Sequence, residues 1–321
     1  MTDLLGGFGS DLSTKLADRW LSLLAMGGAL FVAACAAAGV LGQAHALDVA
    51  RLIDWISARA KDPAASTVGG QVVLFAAVLA AAAAIGLAAR ALGSSVERAV
   101  LAADWRSWPA PLRVVAERGT ARRRIRWDAA HQEYSSLWEA AARAKALRRP
   151  HDPEARQAVL RGRTAIALER PDRPTWSGDR MHAVAVRLRR DHRLELDRIW
   201  PHLWLTLPDH QRAEIIAART AVTRASELGA WTVLYTLVAF AWWPSGVIAL
   251  LLGIAAHRGI RRATDGYARL VEAAVRLHTR ELAQQLGLDC DGPLPQDFGD
   301  RLGALLGSAP PVSPSNGDEP A

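Results

Sequence analysis

Three long stretches without a charged side chain constrain this chain more than any other feature. Trp20–Leu41, Val72–Ala89 and Leu228–Ala256 contain no Asp, Glu, Lys or Arg. The first two are each about as long as a helix that crosses a hydrocarbon core of roughly 30 Å. The third would measure about 43 Å as one straight helix at 1.5 Å per residue, too long for a single upright span. Pro244-Ser245-Gly246 lies in its middle, and a proline that cannot donate a backbone hydrogen bond followed by Ser-Gly is a turn signal. Arg219 and Arg224 precede the run, and Arg258, Arg261 and Arg262 follow it. Basic clusters at both ends place both ends on the inside face. The expectation is a hairpin over 225–258 with its tip at 243–246, where Trp242 and Trp243 reach the far interface. Its second arm, Val247–Ala256, is short, so both a full crossing and a re-entrant hairpin fit.

Orientation follows the basic residues. The loop 46–69 balances Arg51, Arg59 and Lys61 against Asp48, Asp54 and Asp62. From Arg90 to Arg224 the chain carries 27 Lys and Arg against 16 Asp and Glu, which marks the inside face. Lys15 and Arg19 put the arm 1–19 inside too. Ala44-His45-Ala46 has the small-x-small pattern of a signal-peptidase site, but the run before it exceeds the usual 7–15-residue signal core, so it is expected to be retained as a span. The resulting organisation is an arm at 1–19, a transmembrane pair over 20–94 (spans near 20–41 and 72–89), a basic helical domain at 95–224, the hairpin, an amphipathic helix at 259–287 and a mostly disordered tail over 288–321. Ser308–Ala321 is rich in Pro, Ser and Gly and is expected to be disordered. Small residues four apart, Ala29 with Ala33 and Ala80 with Ala84, offer faces for close helix packing. No ionisable residue lies deep in a run; Glu227 and His257 stand at edges, which argues against a transporter.

The basic domain reads as helices punctuated by proline. Val96–Trp105 continues the second span and Pro109 and Pro111 stop it. Ala121–Arg149 has Trp127, Tyr134, Leu137, Trp138 and Ala141 near one face at helical spacing. Asp152 can cap a helix over Glu154–Glu169, and Met181–Arg193 follows after Pro171 and Pro174. Ile199-Trp200-Pro201 is expected to break the chain, Leu203–Leu207 is a short apolar piece, and Asp209 can cap a helix toward the hairpin. Beyond the hairpin, Tyr267, Leu270, Val271, Ala274, Leu277 and Leu282 form a helical stripe.

Pro174-Thr175-Trp176-Ser177-Gly178-Asp179, then Trp200-Pro201-His202-Leu203-Trp204, carries a resemblance. It resembles an actinobacterial-type family of bacterial multi-pass membrane proteins in which Pro-Thr-x-x-Gly-Asn precedes Trp-Pro-x-Leu on the cytoplasmic side. The resemblance covers about 35 residues, implies no established activity, and marks Pro174, Thr175, Trp176, Gly178, Asp179, Trp200, Pro201, Leu203 and Trp204 as a structural motif. Asp179 stands where that pattern has Asn.

Chemistry-bearing patterns are sparse. Asp179 and His182 are three apart and can share a helix face, but no nucleophile motif accompanies them, and Asp179 reads as a helix cap. The histidines have no His-Glu-x-x-His spacing, and Cys35 and Cys290 have neither metal nor disulfide spacing. No cofactor and no metal are expected. Arg122, Arg123, Arg124, Arg126, Arg187, Arg189 and Arg190 are the candidate interaction residues. In a domain tethered inside a membrane they suit anionic lipid headgroups, with a protein partner or a second copy as further partners, and nucleic acid is not expected. The fold expected is all-α, with four membrane-embedded helices in two hairpin-like pairs flanking a helical cytoplasmic domain in the inner membrane. The function expected is a non-enzymatic interaction or regulatory module. The alternatives are a membrane-perturbing or pore-forming effector and an enzyme at the inner membrane face.

Overall fold

The computed structural model describes residues 26–61, 67–149, 153–288 and 295–307. Those residues are helical throughout, with short connections and no strand among them. The arm 1–19, the first residues of the leading apolar run, Asp152, Cys290 and the tail from 308 lie outside the described residues. The helices are α1 (Met26–Leu41), α2 (Val49–Ala60), α3 (Val68–Leu101), α4 (Ala110–Ala146), α5 (Pro153–Ile166), α6 (Trp176–His192), α7 (Leu196–Thr206), α8 (Asp209–Ala239), α9 (Pro244–Gln285) and α10 (Phe298–Leu306), with a 3-10 turn at Trp105–Ser107 between α3 and α4. The chain divides into two compact units. One gathers the residues up to Glu97 with Thr223–Ile260, and the other Arg98–Val222 with the residues from Arg261 onward.

In the first unit α1, most of α3, the end of α8 and the start of α9 pack together. Phe31 sits edge-on against Tyr235, ring centroids 5.2 Å apart, with Trp231 beside it, and Ile85 and Leu252 close the cluster. The close approach uses small residues, though not the ones spacing suggested. Ala29, Ala33, Ala80 and Ala84 are exposed; the buried stripe on α3 is Ala82, Gly86, Ala89 and Gly93. Gly28 faces it so tightly that a Cβ there would lie 2.1 Å from the Ala82 carbonyl oxygen.

The third apolar run is two helices, not one. α8 ends at Ala239, and Pro244 is the first residue of α9, where a missing N–H loses nothing. The turn therefore falls at 240–243, a few residues before the expected tip, because Ser245 and Gly246 already belong to α9. Ala239, Thr232 and Ala225 on α8 oppose Gly246, Gly253 and Gly259 on α9, a descending order that makes the arms antiparallel. Gln43, just after α1, ties this turn down: its Nε2 donates to the Ala239 and Phe240 carbonyls at 2.9 Å each, and its Oε1 accepts from Trp243 N at 3.1 Å. Trp242 Nε1 donates to the Ala46 carbonyl at 2.9 Å. The end of α1 and the turn between α8 and α9 thus share one end of the unit.

Four membrane-embedded helices are more than composition alone supports. Among the described residues one helix, α3, is both long and apolar enough to cross a membrane, while the described part of α1 is shorter. The helix after the hairpin is not separate either; it is the continuation of α9 to Gln285.

In the second unit the principal core joins Val184 and Leu188 of α6, Ile199 and Leu203 of α7, Ala268, Val271 and Val275 of α9, and Phe298 and Leu302 of α10. The last pair corrects the expectation of disorder over 288–321: α10 forms there because Phe298 and Leu302 are fully buried in this core. Prolines mislead at three places. Pro109 is the N-cap of α4 and Pro111 lies in its first turn, so they start a helix that begins well before Ala121. First-turn N–H groups need no partner, which is why proline is tolerated there. Pro201 lies inside α7, contrary to the expected break; the burial of Ile199 and Leu203 on either side outweighs its lost hydrogen bond.

Candidate functional site

The motif residues 174–179 stand where three helix ends meet within the second unit: the C-terminus of α3, the C-terminus of α5 and the N-terminus of α6. A helix leaves its last four carbonyls without internal partners, and its C-terminus carries partial negative charge. The final turn of α3 meets that demand with side chains from the motif. Thr175 Oγ1 donates to the Val100 carbonyl, and Arg173 Nη1 donates to the carbonyls of Leu101 at 3.3 Å and Ala102 at 3.2 Å. Ala102 closes the turn in a left-handed conformation, φ 44°, fully buried, its N–H on the Arg98 carbonyl at 2.9 Å.

Thr175 acts twice. It is the N-cap of α6, accepting from Gly178 N at 3.0 Å, while its own proton goes to α3. One hydroxyl therefore begins one helix and ends another. Gly178 is required by the same contact: a Cβ would stand 2.5 Å from the Leu101 carbonyl oxygen and 2.8 Å from Thr175 Oγ1.

Asp179 holds the loop that presents these groups. Its Oδ1 accepts from Asp172 N at 2.8 Å and Arg173 N at 2.7 Å, so it anchors the segment before α6 rather than capping α6, which corrects the sequence reading. Those donors belong to residues that precede the helix and curl back over it. Oδ2 lies 2.7 Å from Arg123 Nη1, and both side chains are almost withdrawn from solvent. The hydrogen atoms of Arg123 are aimed at carbonyls, those of Arg173 at 2.9 Å and Ile166 at 2.7 Å, so its contact with Oδ2 is one of charge. Burial pushes the Asp179 carboxyl above its ordinary range in spite of Arg123 and the two N–H donors, and burial likewise lowers the Arg123 and Arg173 guanidinium values. His182, one turn on, is lowered by burial and then by Arg173. An Asn at 179 would keep the two N–H bonds but turn a donor toward Arg123, which explains why this chain pairs that arginine with a carboxylate.

The C-terminus of α5 is capped in the same manner. Arg123 reaches Ile166 O, Arg261 Nη2 reaches Ala165 O at 3.3 Å, and Trp127 Nε1 donates to Ala167 O at 3.0 Å. The Arg261 guanidinium also lies 4.3 Å from the Trp176 ring centroid, within cation–π range. Arg124 holds the Pro171 carbonyl and Asp172, each at 2.7 Å.

The candidate interaction arginines thus divide. Arg123 and Arg124 are turned inward on this assembly. Arg187 bridges Glu169 and Glu272, and Arg190 pairs with Glu169 at 3.1 Å. Arg122, Arg126 and Arg189 are exposed. The second half of the motif does other work. Leu203 is fully buried in the core, while Trp200 and Trp204, ring centroids 5.8 Å apart, flank a cleft of about 640 Å³ with Pro201, Ile215, Ile216 and Tyr267. Sequence reasoning missed Gln43, Arg173 and Arg106, which pairs with Asp172 at 3.0 Å; only the position of Arg173 directly before the Pro-Thr motif hinted at its part. Among the described residues no three His, Cys, Asp or Glu side chains are grouped to hold a metal.

Comparison with known proteins finds no family model, no curated protein and no solved structure that matches the chain. The motif is therefore interpreted from its own geometry.

Proposed function

We propose that the chain is a multi-pass protein of the bacterial inner membrane with both termini cytoplasmic, and that it is a non-enzymatic interaction or regulatory module whose cytoplasmic domain is coupled to a membrane helix. The observation that carries this reading is the seizure of the last carbonyls of α3 by Thr175 and Arg173, with Asp179 and Arg123 locking the loop from within. A tilt or rotation of α3 is handed directly to α6. From there Arg180, 2.7 Å from Asp265, passes it to α9. Arg123 and Arg173 hold helix ends, and Asp179 and Arg124 hold the loop before α6.

The multi-pass topology is supported by the shared end that Gln43 creates, since a design with both apolar connections outside needs them together. Leu237, Phe240, Leu250 and Leu251 are exposed on the hairpin, a surface suited to lipid. Its apolar arms, 228–239 and 244–256, are about 18–20 Å long, short of the roughly 30 Å core, which suits a re-entrant pair or one bounded by thinned bilayer. Arg122, Arg126 and Arg189 are the residues for an anionic headgroup or an acidic protein partner.

Topology is tested with single cysteines at Ser57 and Ser136 in a chain with Cys35 and Cys290 replaced. An impermeant thiol reagent on intact cells should label position 57 alone; labelling at 136 but not 57 would reverse the orientation. Reporters fused after Arg219 and after Gly266 should both behave as cytoplasmic. Coupling is tested by nitroxides at Ala99 and Arg189 in the reconstituted protein. A single narrow distance that broadens in Asp179→Ala supports the reading, and a broad distribution in the parent overturns it.

A further inference from the structure

The loop between α1 and α3 contains a helix with no partner in the fold. In α2, Asp48 caps the N-terminus, its carboxylate accepting from Arg51 N at 3.0 Å. At 3.6 residues per turn Val49, Leu52, Ile53, Ile56 and Ala60 share one face, while Arg51, Asp54 and Ala58 share the opposite one and Ser57 stands at the edge beside Ile53. Trp55 stands at the margin, with the Arg59 guanidinium 5.3 Å from its ring centroid. No residue of α2 is buried; Ile53 remains 56% and Ile56 53% exposed. An apolar stripe so arranged is stable only when something apolar covers it.

Four observations bear on what covers it. Ile56 and Ala60 from the apolar side of α2 line a cleft with Val73 and Leu74 of α3, the helix of membrane-crossing length, whose first turns also expose Val68, Val72 and Phe75. That cleft is open, about 870 Å³ in volume, and walled by Trp55, Ile56 and Arg59 on one side and Gly70, Val73 and Leu74 on the other. The charges of the loop cancel, which fits attachment by apolar penetration rather than by a polybasic surface. A tryptophan at the boundary of the apolar arc, with a stacked arginine, belongs at headgroup depth.

We propose that α2 lies flat in the outer leaflet as an interfacial helix, and that the cleft it forms with α3 holds an acyl chain of a phospholipid whose phosphate meets Arg59. This rests on the membrane reading above. The test uses the full chain without Cys35 and Cys290, carrying an environment-sensitive fluorophore on a single cysteine at Ile53, Ile56, Asp54 or Ala58, in phosphatidylcholine vesicles. Positions 53 and 56 should be blue-shifted and quenched several-fold more by nitroxide-bearing lipid than 54 and 58. Water-like emission at all four positions overturns the proposal. So does blue-shifted emission that lipid nitroxide does not quench, since a second copy of the chain would then be the cover. Ile53→Asp, read from the probe at 56, should abolish the quenching while the protein still co-floats with vesicles; unchanged quenching overturns the lipid seat. Failure of the parent to co-float overturns the membrane reading and this one together. In right-side-out spheroplasts, external dithionite should bleach the probe at Ala58. Protection there, with the 53/56 pattern intact, keeps the lipid seat and overturns the orientation.

Discussion

At the scale of single residues, Gly178 and His182 are the sharpest points of test. Gly178→Ala sets a methyl against the Leu101 carbonyl oxygen, a backbone atom that cannot swing away, so α6 or the end of α3 must shift. Overpacking of this kind costs about 1–3 kcal/mol. The detergent-solubilised full chain should melt several degrees lower, by calorimetry or tryptophan fluorescence, and an unchanged melting temperature would show the junction to be loose. His182 gives the pH dependence. Its folded-state value is depressed, chiefly by burial and next by Arg173, against the favourable charges of Asp172 and Asp179. The unfolded chain therefore binds the proton more readily, and stability present above the ordinary imidazole range is lost as pH falls through it. Melting temperature should decline between about pH 7 and pH 5.5, and His182→Asn should flatten that decline. Little of this was legible in sequence. Thr175 and Gly178 could be picked out by likeness, but Arg123 lies more than fifty residues from Asp179, and no local spacing announces such a partner.

At the scale of elements, helical periodicity found most of the helices and proline misplaced their ends. Pro109, Pro111 and Pro244 all lie at the start of a helix, because a proline there fills a position whose N–H has no use; Pro109 and Pro111 read as stops hide the start of α4, and Pro244 read as the hairpin tip puts the turn a few residues late. Pro201 was harder, since only the tertiary burial of Ile199 and Leu203 tells that α7 runs through it. The helix α2 carries a readable stripe, yet its few residues between two long apolar runs read as loop in the sequence. In α7, Trp200 packs on both core clusters and also walls the cleft, so anchor and exposed platform are combined in one side chain. Trp200→Ala is expected to cost about 3–5 kcal/mol. Chemical denaturation of the full chain is the measurement, with Trp204→Ala as the milder comparison. A Trp200→Ala protein with parental stability would make the cleft, not the core, the reason for the ring.

At the scale of the whole molecule, the second unit is assembled from two lengths of chain separated by Thr223–Ile260, the stretch that holds the hairpin. Val184, Leu188 and Leu203 come before it; Ala268, Val275, Phe298 and Leu302 come after it. A fragment covering 95–224 therefore lacks half of its core, which is why the measurements above use the full chain. This order also sets a timetable during synthesis. When the ribosome has finished Val222, the arginine-capped helix ends can form, but the apolar sides of α6 and α7 still wait for partners not yet made. In the proposed topology those partners arrive only if the second arm of the hairpin comes back to the side it left. A chain ending at Ile260 should be degraded several-fold faster than the full protein in a pulse-chase. On that topology the same fast decay should follow deletion of the second arm, because residues 261–306 would then emerge on the other side of the bilayer. Insertion of the proposed hairpin and completion of the second unit's core would then be one event, and quality-control proteases could survey the first by sensing the second.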